Sequence, residues 1–345
     1  MKTMKEKILT KENLAPFLDE LLKTYRVVAP VRSGDYSLYR PLEHGRDICL
    51  DYLRPMKSAK EVFFPQNETL FYFNKRTNMV VESPECEKTT ILFGITPCDL
   101  AGIVAQDRIF ASGTFKDSYY MRRRSQSVLI GIACPIPGET CFCHVFGIDR
   151  FASEIADLFF IPLQSSYLVR VNTEQGGKLV EYLQEATEAD VREAECLAAQ
   201  PMESKVEIMP LEELSHLLAE EFESPVWDDI ARKCIGCAAC TFVCPTCHCF
   251  DITDEIRRDI GRRSRTWDGC MFPMFTLHAS GHNPRTNATQ RIRQRILHKF
   301  AYFKDNQGII SCTGCGRCVE VCPVNVDIRE VLKYLSEILK EASKK

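Results

Sequence analysis

Several common functional signatures are missing from this chain of 345 residues. It has no run of about 18 apolar residues, which a membrane-spanning helix requires, and no apolar stretch near its N-terminus, so we expect neither a membrane span nor a secretory signal. The glycine-rich dinucleotide fingerprint, the Walker loop and the G-x-S-x-G elbow are all absent, which argues against those nucleotide and hydrolase sites. A net charge of −3, with no evident DNA-reading helix, argues against nucleic-acid binding.

Cysteine, in contrast, is abundant, with 18 residues. In a protein without an export signal the thiols stay reduced, so this abundance indicates metal binding rather than disulfides, and a cytoplasmic location. The hydrophobic content of 45% and charged content of 26% are ordinary for a globular protein. The length allows about two domains.

Eight of these cysteines form two copies of the pattern C-x2-C-x2-C-x3-C-P. The pattern is typical of two-cluster bacterial ferredoxins, in which the fourth cysteine of each copy ligates the other [4Fe-4S] cluster. Structural zinc is the alternative, but zinc sites pair two C-x2-C units across a longer gap and end in no such proline. The predicted ligands are Cys234, Cys237, Cys240 and Cys322 for cluster one, and Cys312, Cys315, Cys318 and Cys244 for cluster two.

Four further cysteines follow predicted strands. Cys98 comes after the apolar run 91–95, and Cys134, Cys141 and Cys143 come after the run 128–132. Because strand-end loops can meet at one end of a sheet, we predict that these four thiolates hold a third [4Fe-4S] cluster. Four reduced thiols without metal are the alternative.

The remaining cysteines are expected to have no metal. Cys49, Cys86 and Cys196 stand alone and are interpreted as small hydrophobic residues. Three others, Cys247, Cys249 and Cys270, could also ligate iron, but the two patterns already satisfy two clusters, so they are expected to pack or hydrogen-bond near cluster two. Two basic stretches, at residues 257–265 and 285–299, either face the anionic clusters or dock an acidic partner, or else form an ordinary solvated surface.

The apolar periodicity predicts a fold of mixed α+β class with two domains. Residues 1–225 are expected to form an α/β domain, with strands at 62–64, 70–73, 91–95, 128–132 and 167–171 and helices at 14–25, 99–110 and 176–186. Residues 226–345 are expected to form a mainly helical, ferredoxin-like two-cluster domain. Its last helix is predicted to be capped by Asp327.

Along nearly its whole length the chain resembles the iron–sulfur β subunits of cytosolic sulfhydrogenases and the related A subunits of anaerobic sulfite reductases. The similar segments are CDL at 98–100, CFC at 141–143, the first cysteine pattern continuing into CPTCHCFD, WDGC at 267–270, GHNPR at 281–285, and CTGCGRC from Cys312. The two cysteine patterns are shared by many electron carriers, whereas the combination of the other motifs is specific.

The resemblance implies an electron-transfer subunit of an anaerobic oxidoreductase complex. In such complexes a flavin subunit of the diaphorase type exchanges electrons with NAD(P)H, and a nickel–iron hydrogenase or a sirohaem sulfite reductase subunit performs the terminal chemistry. The sequence around CFC favours the hydrogenase branch. Two rival functions stay open: a reductase with its own catalytic iron–sulfur site in the first domain, and an iron–sulfur sensor.

Overall fold

The computed structural model describes residues 5–51, 54–83, 88–202 and 206–342. Cys86, one of the solitary cysteines, lies outside these ranges. The strands are β1 (Lys5–Thr10), β2 (Arg26–Ser33), β3 (Tyr36–Pro41), β4 (Asn67–Asn74), β5 (Met79–Glu82), β6 (Thr90–Ile95), β7 (Ser127–Ile132), β8 (Leu158–Pro162), β9 (Ser166–Val171), β10 (Gln184–Glu185), β11 (Phe250–Arg257) and β12 (Ile260–Trp267).

The α-helices follow the amphipathic stretches of the sequence. They are α1 (Leu14–Thr24), α2 (Pro97–Phe110), α3 (Ser118–Ser125), α4 (Glu174–Leu179), α5 (Glu188–Ala198), α6 (Leu211–Glu220), α7 (Val226–Ala231), α8 (Ala239–Phe242), α9 (Ala288–Leu297), α10 (Phe303–Gln307), α11 (Arg317–Glu320) and α12 (Ile328–Ala342). One π-helical turn, His298–Tyr302, joins α9 to α10.

The larger sheet has eight strands in the order β10-β1-β9-β8-β7-β6-β2-β3. Its central strands β2, β6, β7 and β8 are parallel, and every residue of β6 is buried. Such continuous apolar runs are expected where helices cover both faces of a parallel sheet. Accordingly, Leu18 of α1 packs with Phe93 on one face, and Leu100 of α2 packs with Leu92 on the other.

The smaller sheet joins the two halves of the chain. Its order is β11-β12-β4-β5, and β12 pairs antiparallel with β4, so that Arg262 lies opposite Tyr72. The fold class, mixed α and β with the cluster motifs at the C-terminal end, is confirmed. The hairpin β11–β12 is an addition to the mainly helical region, and the boundary near residue 225 stays a prediction.

Two of the predicted elements differ in the structure. Residues 62–64 form no strand; a 3-10 turn, Ala59–Val62, leads into them, and Phe63 and Phe64 are buried in the core. Burial rather than strand pairing therefore explains that apolar run. The helix expected at 176–186 is short, because α4 ends at Leu179 and the chain then enters β10.

The helices of the C-terminal region surround a core of their own. Trp227, Phe300 and Leu332 are fully buried there. The predicted cap of α12 is confirmed, because the Asp327 carboxylate accepts a hydrogen bond from the backbone N–H of Arg329 at 2.8 Å. The two cysteine loops pack against this core.

Candidate iron–sulfur centres

The two cysteine patterns have the same backbone conformation. We call residues 234–244 the first cysteine loop and residues 312–322 the second. Each loop has two left-handed residues at matching positions, Gly236 (φ 71°) and Ala238 (φ 59°) in the first, and Gly314 (φ 60°) and Gly316 (φ 75°) in the second. Glycine takes this conformation freely, whereas alanine does so only when the surroundings enforce it. The sequence repeat is thus a structural repeat.

The structure brings the four cysteines predicted for cluster one to a single cavity. Cys234, Cys237 and Cys240 line it from the first loop, and Cys322 lines it from the second together with Cys318, which is predicted for cluster two. Cys237 is exposed, and its neighbour Ile235 has 64% of its surface exposed. This cavity therefore lies at the protein surface.

The four cysteines predicted for cluster two lie together below that surface. Burial raises the pKa of Cys312 to about 12, Lys299 opposes this rise, and the sulfurs of Cys244 and Cys315 add to it. Burial also raises the pKa of Cys318, where the neighbouring sulfurs are again Cys315, Cys244 and Cys312. Cys244 of the first loop is therefore a neighbour of all three cysteines of the second loop.

Buried cations from one helical face accompany these sulfurs. Arg295 at the end of α9 and Lys299 in the π-helical turn are 6% and 3% exposed. Lys299 Nζ lies 3.3 Å from Cys244 Sγ and donates to the Ser311 carbonyl at 2.8 Å. Arg295 contacts Cys247 Sγ at 3.8 Å. The basic stretch 285–299 thus faces the cysteines with part of its charge and is not simply a solvated surface.

The contacts of Lys299 test whether this site fits an anionic group. Within the described residues its hydrogen bonds go to a thiol, a hydroxyl and a carbonyl, and none goes to a carboxylate. A buried ammonium without an anionic partner costs several kcal/mol. Burial alone would lower the pKa of Lys299, but Cys244 and Cys247 hold it above its ordinary value. Thiolate ligands of a metal cluster supply the anions that this lysine needs, so the residues fit such a cluster.

A single metal ion is a poor match for the same side chains. In the described parts of the chain, no three His, Cys, Asp or Glu side chains converge as ligands of one ion would. A four-iron cube, however, takes one thiolate on each of four separate irons, so its ligands stand apart. The described residues therefore offer no ready site for a single zinc ion.

The cysteines predicted for a third cluster are only partly gathered. Burial, followed by the sulfurs of Cys141 and Cys143, raises the pKa of Cys134 to about 12, so these three lie close together. Cys98 is the second residue of α2, contacts Thr96 Oγ1 at 3.2 Å, and has Asp99, Arg317 and Cys315 as its strongest charged neighbours. As expected, β6 and β7 are adjacent and parallel. The third cluster stays a prediction.

The second cysteine loop packs directly against the segment that contains CFC. The backbone N–H of Phe142 donates to the Gly314 carbonyl at 2.8 Å. A Cβ atom on Gly314 would lie 2.6 Å from the Cys143 nitrogen, and one on Gly316 would lie 2.4 Å from the Thr140 carbonyl oxygen. Only glycine permits this approach. The second loop therefore lies between the CFC segment and the first loop.

A buried ion pair fixes the same loop to the larger sheet. Arg317, between two cysteines of the second loop, donates twice to the Asp99 carboxylate, at 2.6 and 2.7 Å, and once to the Pro55 carbonyl at 2.8 Å. The side chains are 1% and 0% exposed. Burial alone would lower the pKa of Arg317, but Asp99 and then Cys315 hold it well above its ordinary value.

Sequence reasoning singled out the cysteines and offered a role for the basic stretch 285–299, but it did not say which of its charges contact which sulfurs. It assigned no role to the Arg317–Asp99 pair. A signal existed for each: Lys299 follows Arg295 by one helical turn, Arg317 lies inside a cluster motif, and Asp99 directly follows a candidate cysteine. The partners of these charges could not be read from spacing, because they are distant in the chain.

The fold and the crossed cysteine loops define an iron–sulfur protein with a two-cluster module, and comparison with known proteins agrees. Residues 233–326 match the family model described as a 4Fe-4S dicluster domain. The chain is 33% identical over 334 residues to the sulfhydrogenase 2 subunit beta of Pyrococcus furiosus, an alignment that covers 95% of this chain and 98% of that protein.

The chain belongs to the sulfhydrogenase β-subunit family. No solved structure matches it. A search of the described residues for a helix long and apolar enough to cross a membrane finds none.

Proposed function

We propose that this chain is a cytoplasmic electron-transfer subunit of a multi-subunit oxidoreductase. It relays single electrons between a flavin subunit that uses NAD(P)H and a terminal catalytic subunit of the nickel–iron hydrogenase type. The relative's name, a sulfhydrogenase subunit, supports membership of such a complex. One observation carries the proposal: Cys322 of the second loop lines the cavity of the first loop's three cysteines, while Cys244 of the first loop lies among those of the second.

This exchange of the fourth cysteine is the arrangement that two-cluster ferredoxins use to hold two [4Fe-4S] clusters close together. When bound, such clusters supply reversible one-electron oxidation and reduction. The predicted ligands are Cys234, Cys237, Cys240 and Cys322 for cluster one, and Cys312, Cys315, Cys318 and Cys244 for cluster two. A third cluster at Cys98, Cys134, Cys141 and Cys143 would extend the path.

The other residues of this chain have three tasks in such a relay. Lys299 and Arg295 place positive charge beside the sulfurs, which favours the reduced, more negative state. The buried second loop excludes water from one site, while the exposed Cys237 leaves the other accessible to a partner. The glycine contacts of Gly314 and Gly316 with the CFC segment fix the spacing between sites.

Iron analysis and electron paramagnetic resonance of anaerobically purified protein test the cofactors. About eight irons per chain agree with two clusters and about twelve with three. Zinc in place of iron, or no paramagnetic centre after reduction with dithionite, would refute the proposal.

The relay itself is tested in the purified complex, by following NAD(P)H-dependent reduction of the terminal subunit. We expect Cys237→Ser to abolish it while each partner subunit keeps its own activity with artificial dyes. A Cys237→Ser complex with full iron content and full relay activity would contradict the proposal. Turnover by the isolated chain with a chemical electron donor would favour a reductase, and a sirohaem partner in the purified complex would favour the sulfite reductase branch.

A further inference from the structure

A cavity of about 320 Å³ beside the cluster-two cysteines contains three cysteines that the cluster assignment leaves over. They are Cys247, Cys249 and Cys270, and they share this cavity with the cations Arg295 and Lys299. The sequence analysis expected packing or hydrogen-bond roles for these thiols. Three thiols at the wall of an open cavity need a better explanation, because packing would place them in the closed core.

The hairpin β11–β12 brings two of these thiols together. Cys249 directly precedes β11, and Cys270 follows the end of β12 by three residues. Phe250 lies opposite Trp267 across the hairpin, and the backbone N–H of Asp268 donates to the Cys249 carbonyl at 3.0 Å. The two segments therefore leave the hairpin side by side, which places Cys249 and Cys270 at the wall of the same cavity.

This close pairing favours a dithiol over a further iron site. The eight cysteines of the two patterns already supply the four thiolates that each of two four-iron cubes needs. Cys249 and Cys270 are free thiols that line one cavity from adjacent chain segments. Two neighbouring free thiols are the starting point for a disulfide.

The dithiol also adjoins the electron path. Lys299, which lines the same cavity, lies with its Nζ 3.3 Å from Cys244 Sγ of the cluster-two set. Cys270 is among the charged neighbours of Cys240 of the cluster-one set. A pair in this position lies next to both proposed clusters.

We propose that Cys249 and Cys270 form a redox-active dithiol–disulfide pair that exchanges electrons with the adjacent cluster sites and reduces small anionic disulfides in this cavity. The inference rests on the proposed relay as its electron source. The Cys249–Cys270 disulfide gains two electrons and two protons and becomes two thiols. One thiolate then attacks a substrate R–S–S–R, releasing one RSH. The other attacks the mixed disulfide, releasing the second RSH and restoring the Cys249–Cys270 bond.

The charge of the cavity sets the substrate class. Arg285, Arg295 and Lys299 contribute to its lining, and no Asp or Glu of the described residues does so. An anionic disulfide is therefore preferred over a neutral one of similar size. Oxidised glutathione is a suitable anionic probe, and hydroxyethyl disulfide is a neutral one.

The first experiment examines the covalent pair in the full chain. Anaerobic protein is treated with oxidised glutathione, its free thiols are alkylated, and the digest is analysed by mass spectrometry, with iron measured in parallel. We expect a peptide that links Cys249 to Cys270 in protein that keeps its iron. Both residues alkylated after this treatment, with the iron retained, would overturn the proposal.

The second experiment uses Cys270→Ser with Cys196→Ser, an exposed solitary cysteine of α5, as the matched control. Protein reduced with dithionite is mixed with oxidised glutathione, and reoxidation is followed by the cluster absorbance. We expect reoxidation to be about ten-fold slower or more in Cys270→Ser, unchanged in Cys196→Ser, and slower with the neutral probe.

Iron content separates the alternatives. If Cys270→Ser loses iron as Cys237→Ser is expected to do, Cys270 is an iron ligand and the dithiol proposal is wrong. Titration of the pair with dithiothreitol needs no clusters, so a reversible Cys249–Cys270 disulfide in protein whose clusters do not reduce would refute the relay and leave the pair standing. If no Cys249–Cys270 disulfide forms in protein whose clusters are reduced normally, the dithiol proposal is refuted and the relay stands.

Discussion

Replacing Asp99 with asparagine should destabilise the protein more than any change at a surface charge. Asp99 holds Arg317 by two hydrogen bonds of 2.6 and 2.7 Å, and both side chains are almost completely buried. The substitution keeps the size of the side chain and removes its charge. Apart from its bonds to residue 99, Arg317 has one hydrogen bond among the described residues, to the Pro55 carbonyl at 2.8 Å.

The expected magnitude follows from burial. Removing one partner of a buried, hydrogen-bonded ion pair lowers the free energy of unfolding by about 3–5 kcal/mol, because the other charge remains without compensation. For domains of this general size that corresponds to a fall in the unfolding midpoint of roughly 5–15 °C. The loss should appear first at the second cysteine loop, which contains Arg317, so cluster absorbance should disappear before or together with the helical signal.

A matched control is present on the surface. Asp254 and Arg263 make two hydrogen bonds of 2.8 and 2.7 Å, nearly the same geometry as the buried pair, but both side chains are exposed. We expect Asp254→Asn to leave the unfolding midpoint almost unchanged, because water and ions screen exposed pairs. Thermal unfolding followed anaerobically by circular dichroism and cluster absorbance compares the two variants. Equal shifts for both variants would refute the reasoning from burial.

Further predictions concern the cofactors and the pH dependence. Cys134→Ser should remove about four irons per chain if a third cluster exists and none otherwise. Lys299→Met should lower the cluster-two potential by roughly 100 mV, because a unit charge a few ångströms away contributes about 3 kcal/mol; a redox titration showing no shift would contradict this. Burial lowers the pKa of His248 from 6.5 to about 4. As the pH falls, His248 therefore binds a proton in the unfolded chain before it does so in the folded protein. Its contribution to the free energy of unfolding is fully present above pH 6.5 and is lost as the pH falls towards 4. In His248→Gln this loss should be smaller, as measured by unfolding midpoints between pH 7 and pH 5; an identical pH profile would argue against a buried neutral histidine.

The sequence predicted what depends on local spacing. The crossed exchange of Cys244 and Cys322 follows from the repeat pattern, and the buried parallel strands follow from apolar runs such as β6. The hairpin β11–β12 was missed, because its eight-residue strands alternate charged residues with few apolar ones and β11 is exposed along its whole length. The pairing of β12 with β4 joins residues about 190 positions apart, as the Arg262–Tyr72 register shows. The pairing partner of a strand at such a distance cannot be identified from a single sequence.

Which charges of the basic stretch face the cysteines could not be predicted, for a related reason. A lysine in a basic stretch is usually solvated, and only the π-helical turn shows that Lys299 points inwards. The extra residue of a π turn rotates the following side chains relative to a regular helix. Spacing rules built on regular helices therefore cannot place them.

The strand pairing between β12 and β4 has a consequence for how this protein can be divided. A fragment beginning near residue 226 would expose the hydrogen-bonding edge of β12, which is a template for aggregation. It would also lose Asp99, the counterion of Arg317, and the carbonyl that Phe142 reaches on Gly314 would be left to solvent. The two-cluster region therefore cannot be separated from the rest of the chain as an independent unit. A shortened relay of this type would need the hairpin edge covered and the arginine neutralised before it stayed soluble.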